Sequence, residues 1–231
     1  FEINMSLYYV LSKALGGGGE VFHRLVPLLS YLGALVVLFL QVKKYWSLRA
    51  ALIFGLLFMV HFFLVRYSVE ARSYATTCLT IALLWSAWLQ IVFENRARYW
   101  IVYAVLGGLA LYLHLFSAFF VLALGVITLP LLKQRSAYAK WTAAHAVIVM
   151  AFVPLAAFVI FRESSQLAWV EPIRFRALID LAFMFSGAAP QADDMVRRAL
   201  LGVMVALLVA FVVAMFRGSA LSALDDRRRR F

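Results

Sequence analysis

Charge is what this sequence has least of. Only 14% of its 231 residues are Asp, Glu, Lys or Arg, against about 25% in an ordinary soluble domain. Its hydrophobic fraction is 65% and its mean hydropathy +0.92, an apolar excess that a soluble core cannot absorb. A single cysteine, Cys78, excludes an intrachain disulfide and leaves the redox compartment unread. The GGGG run at 16–19 follows no strand pattern and carries no Lys-Ser/Thr ending, so nothing here cradles a nucleotide phosphate. No dense set of His, Cys and carboxylates is present, which argues against a tight structural metal site. Nor are there segments of about ten residues alternating apolar with polar, as a transmembrane barrel requires.

What is abundant is apolar sequence in blocks. Leu25–Val42, Ala50–Val65 and Ala199–Phe216 approach the roughly 20 residues that cross a bilayer, and they are apolar on every face. Breaks at charged clusters give spans near 25–42, 50–65, 74–93, 99–113, 115–132, 141–161 and 198–216. The fold class expected is therefore all-α, a polytopic transmembrane helical bundle of about seven spans. Residues 1–24 form an outer-face interfacial segment, with 5–15 lying along the membrane. Residues 25–161 form transmembrane helices, 162–197 a small extracytoplasmic lobe with a short helix near 175–185, 198–216 a last transmembrane helix, and 217–231 a basic cytoplasmic tail.

The formal charge of +11 raises a nucleic-acid partner, and its distribution argues against one. With residue 1 outside, the inner connections carry 13 basic residues and the outer side 9, alongside 8 of the 11 acids. That asymmetry places the C-terminus in the cytoplasm by the positive-inside rule. The run Arg227–Arg230 has no interleaved aromatics and suits anionic lipid. Trp46, Tyr99, Trp100 and Trp141 fall at inner boundaries, where amphipathic rings anchor.

One segment is unusual. RYSVEARSYA, residues 66–75, sets Arg66, Glu70 and Arg72 within seven residues between two apolar blocks, where ionisable groups are expensive. On a helix, Arg66 and Glu70, and Glu70 and Tyr74, stand at i, i+4 and share a face. Two readings stand. Either an Arg66–Glu70 pair ends a hairpin, or the second guanidinium, which one carboxylate cannot neutralise, awaits an anion whose phosphate oxygens match its fork.

RYSVEARSYA resembles the R-Y-x-x-E-A-R-x-Y-A signature of the large bacterial branch of the dolichyl-phosphate-mannose protein mannosyltransferase and aminoarabinose transferase superfamily, glycosyltransferase family 39, with the GT-C fold. EINMSLYYVLSKAL, EVFHRLVPLLS, LYLHLFSAFFVLA and QLAWVEP are similar, in the same order, to other segments of that family. The resemblance runs from Glu2 to about Phe185. It implies an inverting enzyme of the bacterial cytoplasmic membrane that moves a sugar from a polyprenyl-phosphate carrier to an acceptor on the outer side. It also implies that the catalytic carboxylate and a first helix lie upstream of Phe1, so that the isolated chain need not be active.

On that resemblance Arg66 and Arg72 would stabilise the departing phosphate, Glu70 would orient them, and Tyr74 shares their face. Glu2 is either a solvated carboxylate or a group that orients the acceptor or binds a divalent cation. His114, in an outer turn, either bonds substrate, ligates a cation with Glu2, or makes an ordinary interfacial hydrogen bond. His23 and Arg24 stand at an outer helix start, where they either touch the lipid phosphate or anchor the helix. Gln166 and Trp169, in the outer lobe, suit hydroxyl bonding and stacking on a sugar face, although Trp169 fits an interfacial belt equally. His61 and His145 fall within apolar spans and read as buried hydrogen-bonding helix residues, and Gly107–Gly108 read as a close helix approach. Two rival functions remain: a transporter or flippase of a lipid-linked anion, and a non-catalytic membrane scaffold. A transporter predicts charges near mid-membrane on interrupted helices. The partners expected are a polyprenyl-phosphate-linked sugar and membrane lipid, with no nucleic acid.

Overall fold

The computed structural model describes residues 6–14, 19–161, 182–183, 186–187 and 193–216. Every regular element among them is helical: α1 (Ser6–Ala14), α2 (Gly19–Tyr45), α3 (Leu48–Val60), α4 (Phe62–Ser68), α5 (Tyr74–Glu94), α6 (Tyr99–Leu113), α7 (Ser117–Thr128, continued by a 3₁₀ turn at Leu129–Leu131), α8 (Arg135–Phe161) and α9 (Asp194–Phe216). The chain divides into two compact units, 1–60 with 64–163, and 61–63 with 164–231.

Among the described residues, three helices are long and apolar enough to cross a membrane: α2, α5 and the Arg135–Ala157 part of α8. The α3–α4 pair, bent by 63° at His61, is a fourth if taken as one span. The chain is thus an all-α membrane protein by the length and composition of its helices. The seven-span reading meets shorter helices at Tyr99–Leu113 and Ser117–Leu131. Fifteen residues rise about 22 Å, less than the roughly 30 Å hydrocarbon core. Their apolar blocks are cut by the charged turn at 95–98, by His114, and by Pro130.

Helix directions in the first unit follow from its cross-contacts. The Ser30 and Thr76 hydroxyls lie 3.3 Å apart, Gln41 Nε2 donates to Ser86 Oγ at 2.7 Å, and Lys44 pairs with Glu94. α2 and α5 therefore run parallel. α3 runs back along α2, with the Tyr31 hydroxyl donating to the Phe58 and Met59 carbonyls at 3.5 Å. Those carbonyls sit just before the break, where i+4 donors are lost, so Tyr31 partly satisfies a helix end inside an apolar span. α6 and α8 are likewise parallel: Tyr103 Oη meets His145 Nε2 at 3.4 Å and Tyr112 donates to the Ala151 carbonyl at 2.8 Å. α7 runs opposite to α8, its Gly125 carbonyl accepting from the Trp141 indole at 3.1 Å.

Small residues let these helices approach. Ala34, Ala51, Ala82 and Ala110 are fully or almost fully buried, and Gly107 faces Ile148 while Gly108 faces Ala151, in the manner of helix contacts in lipid. The larger core cluster gathers Leu84, Trp88, Tyr103, Leu111, Val121 and Ile148 from α5 to α8. Within it the Trp88 indole donates to Thr128 Oγ1 at 2.8 Å, and Thr128 donates on to the Leu124 carbonyl. Ile101, Phe119, Leu122 and Ile53 are more than 60% exposed, as suits faces whose solvent is lipid rather than water.

The two ends of this bundle differ in character. At one, α5 stops at Asn95 in the left-handed conformation (φ 48°), whose N–H donates to the Gln90 carbonyl. The Glu94 carboxylate, 16% exposed, there meets Lys44, Arg96 and the Tyr45 hydroxyl. Gln90 fits with its amide donating to Glu94 Oε2 at 2.7 Å and accepting from Lys44 at 3.1 Å. At the other end, α1 packs on α6, and the Tyr8 hydroxyl donates to the His23 carbonyl at 3.3 Å. Burial pushes the Tyr8 phenol above its ordinary pKa, and Tyr9 adds to the effect.

His145 behaves as a buried hydrogen-bonding helix residue, its Nδ1 at 2.9 Å from the Trp141 carbonyl. His61 does not, because it lies outside helix, at the break itself. Its ring packs on Gly187, whose left-handed backbone (φ 81°) favours glycine, and its buried Nδ1 has no hydrogen-bond partner.

Candidate functional site at the α4–α5 bend

The RYSVEARSYA segment does not form one helix. α4 ends at Ser68, residues 69–73 turn, and α5 begins at Tyr74. Ser68 Oγ donates back to the Val65 carbonyl at 2.6 Å, and the Arg72 N–H donates to the Glu70 carbonyl at 2.7 Å, local bonds that compete with helix. The shared face expected for Arg66, Glu70 and Tyr74 is therefore absent. Glu70 pairs instead with Arg72, Nε to Oε1 at 3.3 Å, with side chains 33% and 44% exposed. Arg66 is exposed and has no ion-pair partner among the described residues. The ion pair forms with Arg72 rather than Arg66, and the charge count is unchanged, two guanidiniums to one carboxylate.

The bend also builds an aromatic surface. Tyr67 stacks obliquely on Tyr74 with centroids 4.4 Å apart, Tyr74 meets His114 at 5.5 Å, and His114 meets Phe116 at 5.5 Å. α6 ends at Leu113, so His114 turns extended, its N–H donating to the Ala110 carbonyl. The Phe116 N–H donates to His114 Nδ1 at 3.3 Å, which in the neutral ring leaves the proton on Nε2. Ser73, Thr77 and Ser117, at the adjoining starts of α5 and α7, hold buried hydroxyls without hydrogen-bond partners.

Of the residues singled out from sequence, Tyr74 and His114 are in contact, and Glu70 and Arg72 are paired beside them in the chain. Arg24 is matched by Glu20 one turn before it, at 2.5 Å, a pairing that the sequence did not suggest. Glu2, Gln166 and Trp169 lie outside the described residues. Among the described residues no three His, Cys, Asp or Glu side chains converge as metal ligands. Tyr67 was missed although it lies in the quoted signature, because a helical reading of the segment does not bring it onto Tyr74. Ser73, Thr77 and Ser117 left no signal, since hydroxyls are common in such helices.

The chemistry available at this bend is anion binding by guanidiniums beside rings that can stack on a flat or sugar-like group. No known protein family, no curated protein and no solved structure matches the chain. What the helices themselves define is the class, an all-α membrane protein.

Proposed function

We propose that this chain is a polyprenyl-phosphate-sugar-dependent glycosyltransferase of the bacterial cytoplasmic membrane, or a fragment of one, with a GT-C-like fold of about seven crossings and its site on the outer face. The observation that carries the reading is the α4–α5 bend, where Arg66 and the Arg72–Glu70 pair adjoin the Tyr67, Tyr74 and His114 rings. Helix direction supports the crossings. Parallel α2 and α5 need a return between them, which the bent α3–α4 pair supplies, and parallel α6 and α8 need α7. α9 is the seventh.

In the reaction, an acceptor hydroxyl attacks the anomeric carbon from the face opposite the phosphate, the carbon–oxygen bond to phosphate breaks, and the configuration inverts. A base takes the hydroxyl proton. The developing phosphate charge falls to Arg66 and Arg72, and preorganised cations in a partly dry site usually supply most of the transition-state stabilisation in such a step. His114 Nε2–H and the Tyr67 and Tyr74 phenols suit sugar hydroxyls.

A transporter of a lipid-linked anion is the second reading, favoured by the broken α3–α4 span, since interrupted helices build transporter sites. Proteoliposomes of the full-length protein, loaded with a radiolabelled polyprenyl-phosphate sugar, separate the two. The enzyme releases polyprenyl phosphate and yields an acceptor glycoside of inverted anomeric configuration. Sugar that crosses the membrane still attached to its carrier supports the transporter and rejects the enzyme.

A further inference from the structure

An apolar groove opens among α2, α3, α5 and α7, reaching from Cys78, one turn into α5, to the α2–α3 turn at Trp46. It encloses about 340 Å³ and is lined by Leu38, Trp46, Phe54, Cys78 and Trp85, with Gln41 as its polar member. Gln41 Nε2 is committed to Ser86, while its buried Oε1 has no hydrogen-bond partner. Four residues separate Gln41 from the end of α2, so that oxygen sits about 6 Å inside the helix end. Trp46, half exposed in the α2–α3 turn, forms the rim.

The rim is basic. Lys43 and Arg49 flank Trp46 in the chain, both exposed and without an ion-pair partner among the described residues. Lys44 and Arg96 differ, since both are held by Glu94. Glu94 is the one described acid at this end of the unit. Arg98, Lys133, Arg135 and Lys140 add to the same excess of positive charge.

We propose that this groove holds one acyl chain of an anionic glycerophospholipid, its phosphate at Lys43 and Arg49. The carbon lining takes the chain, and the uncompensated cations take the phosphate. The inference rests on the membrane class alone and is independent of sugar transfer.

Native mass spectrometry of the delipidated full chain tests it, with phosphatidylglycerol, phosphatidylcholine and polyprenyl phosphate titrated separately. One phosphatidylglycerol should be retained about thirtyfold more tightly than phosphatidylcholine, as two surface cations would provide. The Lys43→Gln, Arg49→Gln double variant should bring the two lipids within about threefold of each other. Ile81→Trp, which fills the groove, should weaken both. If that variant loses its helicity, an acyl-brominated phosphatidylglycerol serves instead, and its quenching of wild-type fluorescence should fall in Trp46→Phe. Equal retention of the two phospholipids, unchanged selectivity in the double variant, or preferential retention of polyprenyl phosphate would each overturn the proposal.

Discussion

Two glycine-to-alanine substitutions, at Gly125 and Gly108, should move stability in opposite directions although both lie in apolar helices. A Cβ at Gly125 would stand 2.6 Å from His145 Nε2 and 3.3 Å from Cδ2. The imidazole is poorly placed to retreat, because Nδ1 is bonded to the Trp141 carbonyl and Nε2 faces Tyr103 Oη. The Trp141 indole is itself bonded to the Gly125 carbonyl, so moving the ring or the backbone breaks a buried contact. Gly125→Ala should therefore cost about 1–3 kcal/mol, the usual penalty for overpacking. At Gly108 the new Cβ meets only the Ala151 Cβ at 3.5 Å, an ordinary contact. There alanine removes the backbone entropy cost of glycine and should gain up to about 1 kcal/mol. Thermal unfolding of the purified chain in one detergent, followed by circular dichroism, reads both. A Gly125→Ala variant at least as stable as wild type, or a Gly108→Ala variant losing as much as Gly125→Ala, would refute the packing of α6, α7 and α8 described above.

Two other predictions concern the basic end. In a Cys78→Ala background, Trp46→Cys and Ser136→Cys should resist a membrane-impermeant thiol reagent applied from the periplasmic side and react after permeabilisation; strong labelling of intact cells would reverse the topology. Glu94→Gln leaves Lys44 and Arg96 without their shared anion, and should destabilise by about 1–2 kcal/mol once the solvent screening of the half-exposed cations is allowed for. The loss should shrink in high salt, and a salt-independent change would mean that the carboxylate is not working through its charge.

The helical membrane class was legible because hydropathy reports composition directly, and charged residues at most connections mark where apolar sequence stops. α5 and α6 were read to within a residue of their ends, whereas α8 begins six residues before the expected 141. The bend at 69–73 falls in the gap left between the spans 50–65 and 74–93, but its internal pairing was not legible, since RYSVEARSYA contains neither Gly nor Pro and its i, i+4 spacing of opposite charges favours a helical Arg66–Glu70 pair. The signal against it was Ser68 and Ser73, residues whose hydroxyls can compete for backbone groups, and Ser68 does so. The break at His61 was likewise hidden inside an unbroken apolar run. It depends on Tyr31, 27 residues earlier, taking up the carbonyls that the break frees. Tyr74 and His114 were named from sequence separately, and only the antiparallel packing of α5 and α6 brings their rings together.

The central claim is that Arg66 and Arg72 hold the phosphate of a lipid-linked donor. Its most direct test is sugar turnover and donor affinity of the full-length protein at matched membrane expression, comparing wild type with Arg66→Ala, Arg72→Ala and Arg72→Lys. A charge-assisted contact to a partly desolvated phosphate is worth about 1.5–3 kcal/mol, so each alanine variant should lose roughly ten- to hundredfold in turnover. Arg72→Lys should recover little, because an ammonium cannot reproduce the guanidinium fork that serves Glu70 and phosphate together. Near-normal turnover and donor affinity in all three variants would contradict the account and reduce the α4–α5 bend to a structural turn.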